Sequence, residues 1–375
     1  MDRGSSERTI PRRSRGSGSG LPEGSTGSKG IETLVAAALG LALTACAPPR
    51  TKLVEWGWDE PDPAFMRRHA ALMAATPFDG CVFHVEPLTW QMWGRRAHDE
   101  WAFEGAVADL RGLRLRRFTE SFLRVNVTPG DVDWFDDFAP VTRNARTAAR
   151  IARRGHVRGV LLDVEQYQGQ VFDYRRQRDA ATRSWLAYAA QARRRGHEVV
   201  DAFESGYPGL TLFLTFGHSL PFVQSKHGQL PLAETPYGLL VPFLDGFLDG
   251  ASGSTRIVDG YELSYGFTHE PHFDEARALV KEGVLPIVGN RDAYRRHVQL
   301  AFGLWMDYDW RHAGWDPATP EKNYFTPERW AASVARARQV TDEYVWVYGE
   351  QVRWWGPEAD LRRVPEAYRA ALIAP

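Results

Sequence analysis

The stretch GVLLDVEQY, residues 159–167, sets two carboxylates, Asp163 and Glu165, straight after an apolar run and just before an aromatic, Tyr167. Spaced i, i+2 on a strand, both acids leave the same face. Two carboxyls so close do not ionise independently, so one holds its proton to higher pH. A carboxyl that is still protonated near neutrality is what a general acid for a glycosidic oxygen requires. The same residues permit a structural outcome, in which Asp163 pairs with a lysine or arginine of a neighbouring strand.

The elements that would position these acids are legible as eight short apolar runs, at 52–59, 80–86, 121–128, 158–165, 210–217, 257–265, 302–309 and 343–350. Each is nearly continuous in Val, Leu, Phe and Tyr, as strands covered on both faces are. Between them lie segments of helical period, such as DPAFMRRHAALMAAT with Asp62 as N-cap and Pro63 at the first helical position. For the seventh strand, 283–289 competes with 302–309, and the latter is preferred because it ends in acids and aromatics. No glycine-rich phosphate loop follows the first run. Eight βα repeats in one domain, 52–360, therefore predict an α/β fold, a closed (β/α)8 TIM barrel.

Barrel active sites lie at the C-terminal ends of the strands. The residues carried there are Trp58 after the first strand; His84, then Trp90 and Trp93, after the second; Asn126 on the third; and Asp163, Glu165 and Tyr167 on the fourth. His218 follows the fifth, Glu262 and Tyr265 the sixth, Asp307 and Trp310 the seventh, and Glu350, Arg353 and Trp354 the eighth. The chain holds 14 Trp, 13 Tyr and 19 Phe, more indole than a core needs. Indole faces stack on pyranose rings while carboxylates bind hydroxyls, so this mouth points to an oligo- or polysaccharide substrate.

GVLLDVEQY resembles the fourth-strand signature of family 18 chitinase-like glycosidases, which ends Asp-x-Glu before an aromatic. The resemblance implies that Glu165 is the proton donor and that Asp163 orients it; Arg158 and Leu161 stand where that family has two earlier aspartates. Retaining barrel glycosidases place an acid/base glutamate at the same strand end, usually after Asn, where this chain has Val164. For the second carboxylate, Glu350 is the first candidate, Glu262 the second and Asp307 the third. A substrate-assisted route needs none, only an acetamido sugar and a tyrosine such as Tyr265 or Tyr261. A carbohydrate-binding barrel without a working acid pair is the alternative from another functional class.

Other chemistries find little support. The first strand reads Trp-Gly-Trp where a barrel metallohydrolase has His-x-His, and there is no Gly-x-Ser-x-Gly elbow, so neither a metal nor a cofactor is expected. A net charge of −1 argues against a nucleic-acid partner. Residues 1–30, rich in Ser, Gly and Arg, read as disordered, and 361–375 as a tail. Residues 31–46 read as a secretory h-region ending Leu43-Thr44-Ala45-Cys46. That end resembles the lipobox of bacterial lipoproteins. The resemblance implies lipidation of Cys46 and a protein exported to the cell envelope, touching the membrane only through its anchor.

Overall fold

The computed structural model describes residues 50–373 apart from 114, 116, 310–313 and 357–363; the expected disordered and signal segments, Cys46 and Trp310 lie outside the described residues. Nine strands form one parallel sheet: β1 Lys52–Gly57, β2 Gly80–Phe83, β3 Phe122–Asn126, β4 Gly159–Asp163, β5 Thr211–Leu214, β6 Arg256–Asp259, β7 Val298–Leu300, β8 Phe302–Trp305 and β9 Tyr344–Gly349. β7 and β8 are two halves of one stave, separated only by Ala301. The first half pairs with β6, with Ile257 opposite Val298, and the second with β9, with Phe302 opposite Val345. Because β9 also pairs with β1, the sheet closes on itself as eight staves, the TIM barrel expected from the repeat.

The seventh stave runs through 302–305 as preferred, whereas Leu285–Ile287 is a single 3-10 turn. Every expected run extends past its strand at the C-terminal end, because the acid and aromatic residues there continue into the mouth loops. Parallel neighbours require crossovers, and helices supply them. The helix Pro63–Ala74 starts as its sequence dictates, with Asp62 accepting the Phe65 N–H at 2.6 Å and proline in the first turn. Residues 366–373, within the stretch expected as a tail, form a helix whose Tyr368 and Leu372 are buried against Pro327–Val340.

Alternation divides the core in two. One set of strand residues packs against the helices. The other fills the lumen: Val54 and Trp56 of β1, Val82, Phe122, Leu161, Phe213, Val258, Ala301, and Tyr344 and Trp346 of β9. Trp346 reaches so far across that a Cβ on Gly303 would lie 2.5 Å from its ring, so only glycine fits there. Its indole donates to the Gly260 carbonyl at 2.8 Å. Above this plug the inward positions turn polar, to Arg124 and Asn126 on β3 and Asp163 on β4, and there the site begins.

Candidate active site

A cavity of about 440 Å³ opens at the C-terminal ends of the strands. Its walls are Trp56, Trp58, Trp90, Tyr167, Tyr265, Trp305 and Tyr348, and its polar groups are Glu60, Arg124, Glu165, Glu262 and Glu350. Simple alternation delivers several of them. On β9, Tyr344, Trp346, Tyr348 and Glu350 follow each other at i+2, and on the seventh stave Trp305 and Asp307 continue the inward face of Ala301.

Beneath the cavity floor Asp163 is completely buried. One carboxylate oxygen accepts the Glu165 N–H at 3.1 Å, and the other accepts from the Asn126 amide at 3.2 Å. Arg124 lies 3.9 Å away on the neighbouring strand, the cation anticipated for a structural pair. Its hydrogen bonds go elsewhere: Nε and Nη2 grip Glu60 at 2.7 to 3.0 Å, Nη1 donates to Asn126 at 2.7 Å, and the guanidinium stacks 4.7 Å over Trp90. Burial and then the charge of Glu165 push the Asp163 carboxyl up to about 7, against the opposing pull of Arg124. In this pair the raised carboxyl is thus Asp163.

Glu165 follows β4 by two residues and faces the cavity, where it accepts the Tyr167 hydroxyl. Glu262 faces the same space from the end of β6 and is hydrogen-bonded to Tyr265. Burial first, and then repulsion from Glu165, raises its carboxyl well above the usual range. Glu350 closes the third side; the Tyr348 hydroxyl donates to it at 3.4 Å and itself accepts the Trp58 indole N–H at 3.0 Å. Burial and Asp307 raise Glu350 as well.

The remaining sequence candidates divide by burial. Trp90, 38% exposed, and Trp58, 67% exposed, stand at the mouth as expected, while Asn126 acts from below. Trp93 is a correction: it is fully buried, ringed by Trp134, Phe138 and Phe243 at 5.2 to 5.5 Å, and touches no ligand space. His218 is buried too, with Nε2 3.4 Å from Asp245 and its ring edge-on to Tyr294. Asp307 is spent on structure, accepting the backbone N–H groups of Glu350, Gln351 and Val352 and the Trp305 indole. Trp354 packs edge-on against Phe78. His84 and Arg353 line a second cavity of about 450 Å³ that shares only Trp58 and Glu60 with the first.

Sequence reasoning missed Glu60, Arg124, Trp305 and Tyr348 as lining residues. The signal for Arg124 was available, since a cation inside an apolar strand, two residues before Asn126 on the same face, needs a carboxylate partner.

No family model matches the chain, and no curated protein matches it. Solved structures are similar to it over most of its length. They include the exo-beta-1,4-mannosidase Op5Man5 from Opitutaceae bacterium strain TAV5, 14% identical over 86% of this chain with a TM-score of 0.46. GH5_18 from Streptomyces cattleya, in complex with GlcNAc, is 14% identical over 87% of this chain and 80% of its own, with a TM-score of 0.44. A D-psicose 3-epimerase in the presence of D-fructose is 11% identical over 86% and 96%, with a TM-score of 0.41. The chain spans 59% of the length of the mannosidase. Function is argued from the site.

Proposed function

We propose that the chain is a glycoside hydrolase in which Glu165 is the general acid/base and Glu262 the opposing carboxylate. The observation that carries this reading is the meeting of Glu165 and Glu262 in one aromatic-walled cavity at the strand ends, where each carboxyl has a tyrosine hydroxyl as donor. In the reaction Glu165 gives its proton to the glycosidic oxygen as the bond to the anomeric carbon breaks. Glu262 either attacks that carbon or takes a proton from the water that does, and both carboxylates stabilise the positive charge developing on the ring. Trp56, Trp58, Trp90 and Trp305 offer stacking faces for the sugar.

Asp163 acts from beneath. It holds the Glu165 backbone and, by carrying a proton up to about pH 7, spares Glu165 a second negative charge at its side. Glu262 is preferred to Glu350 as partner because its strongest charge interaction is with Glu165, whereas that of Glu350 is with Asp307. The test is release of reducing ends from a panel of polysaccharides and aryl glycosides. Turnover of the polysaccharides by the wild type that is lost in Glu165→Gln, with the fold intact by circular dichroism, supports the enzyme. Binding without turnover in both proteins sinks it in favour of a carbohydrate-binding barrel.

Export and lipid anchoring through Cys46 belong to the same proposal and rest on the resemblance of residues 43–46 to a lipobox. Palmitate labelling of the expressed protein, lost in Cys46→Ser, supports the anchor; an unlabelled wild type removes it.

A further inference from the structure

The cavity holds more negative charge than hydrolysis requires. Glu60 is neutralised by Arg124, whose Nε and Nη2 are turned to that carboxylate and whose Nη1 is turned to Asn126. Glu165, Glu262 and Glu350 each have a tyrosine as donor and, among the described residues, no ion pair with any cation. Arg353 acts on Glu350 only at a distance, with its guanidinium turned to the carbonyls of Glu350 and Val352. Acid/base hydrolysis uses two of these three carboxylates. The third, together with aromatic faces on every side, is surplus to bond cleavage and costs stability unless a bound cation offsets it.

We propose that the glycan this cavity accepts carries free amino groups, and that Glu350 with the rim aromatics Trp58 and Tyr348 selects the ammonium. A protonated amine on the sugar ring supplies the counter-charge the lining lacks. It donates to Glu350, and the indole face next to that carboxylate attracts the same cation. A carboxylated or sulfated sugar would instead face three glutamates, with the charge of Arg124 already paired with Glu60. The proposal rests on the glycosidase reading for its site, and it adds what the site selects.

The test is a matched series of β-1,4-linked oligomers that differ only at C2: glucosamine, N-acetylglucosamine and glucose. Affinities are measured calorimetrically on Glu165→Gln at about pH 6, where a primary amine is charged. We expect the amino oligomer to bind about tenfold more tightly than the hydroxyl oligomer, with Glu350→Gln erasing most of that gap. Equal affinity across the series, tighter binding of the acetylated or neutral chain, or a gap unchanged in Glu350→Gln overturns the proposal. Wild-type turnover is scored separately. Preferred binding of the amine without hydrolysis defeats the glycosidase reading and leaves the selectivity standing, whereas hydrolysis without preference does the reverse.

Discussion

Two carboxylate pairs stand at the same end of this barrel and do opposite things. Asp163 and Glu165 leave β4 on the lumen side, and the pair ends in an open cavity. Glu55 lies on β1 and Asp59 just beyond its end; Glu55 takes the outward alternation and lies between the strand and the outer layer, 1% exposed. Its carboxyl lies beside that of Asp59, and each acid keeps a buried oxygen without a hydrogen-bond partner among the described residues. Burial is the largest cause of the raised Glu55 carboxyl, with Asp59 next. Asp59 then accepts the N–H groups of Trp354 and Trp355 at 2.6 and 3.1 Å, latching the loop after β9 onto the start of the barrel. In both pairs burial and the neighbouring acid raise one carboxyl, Asp163 on the lumen side and Glu55 on the outer side. In the lumen pair Glu165 faces the aromatic-walled cavity, whereas in the outer pair Asp59 borders the second cavity with its carboxylate taken up by the Trp354 and Trp355 N–H groups. An acid pair is thus turned to chemistry or to architecture by the face of the strand it leaves and by what its carboxylates already hold.

That contrast can be broken at each pair. Glu262→Gln, on the lumen side, should lower kcat on the order of 10² to 10⁴-fold with little change in Tm, read by steady-state kinetics beside thermal melting. Asp59→Ala strands two backbone donors, costing about 1–3 kcal/mol each at most, so the larger effect is on urea stability, with activity per folded molecule retained. An Asp59 variant that is stable but inactive would place the outer pair in the chemistry.

Asp163→Asn should change how stability depends on pH. The folded carboxyl titrates near 7, above its ordinary 3.8, so between these values the folded chain binds a proton that the unfolded chain has released. Wild-type stability from this group is therefore greatest in acid and falls as pH rises to about 7. The asparagine variant lacks that fall, and its Tm relative to wild type should rise between about pH 4 and about pH 7 and level off above that. The smallest effect belongs to Glu55→Gln, which keeps the shape of a buried protonated acid; turnover should stay within about twofold.

Much of the fold was legible because parallel staves buried on both faces read as unbroken apolar runs, and the seventh was correctly placed by its acid and aromatic end. The break at Ala301 was not, since a one-residue change of pairing partner leaves no mark on composition. At the site, i+2 spacing was informative where it was followed, setting Asp163 beneath Glu165; the same step back from Glu350 to Tyr348 and from Asp307 to Trp305 was not taken, and both aromatics were missed. Residue type alone misled. Trp93 and His218 were read as binding groups because tryptophan and histidine suit ligands, yet each follows its strand on the helix-facing side, where the same side chains are core. Asp307 was read as a binding acid, but three backbone donors from the next stave reach it first.

The central claim is that Glu165 protonates the leaving group, and leaving-group dependence tests it most directly. On glycosides of the sugar selected by the substrate panel, kcat/KM of Glu165→Gln is compared with wild type for a dinitrophenyl leaving group, which departs without a proton, and a methylumbelliferyl one, which benefits from one. The account predicts a loss of about 10²-fold or more with methylumbelliferyl and under about tenfold with dinitrophenyl. An equal loss with both would contradict it and leave Glu165 a structural or binding residue.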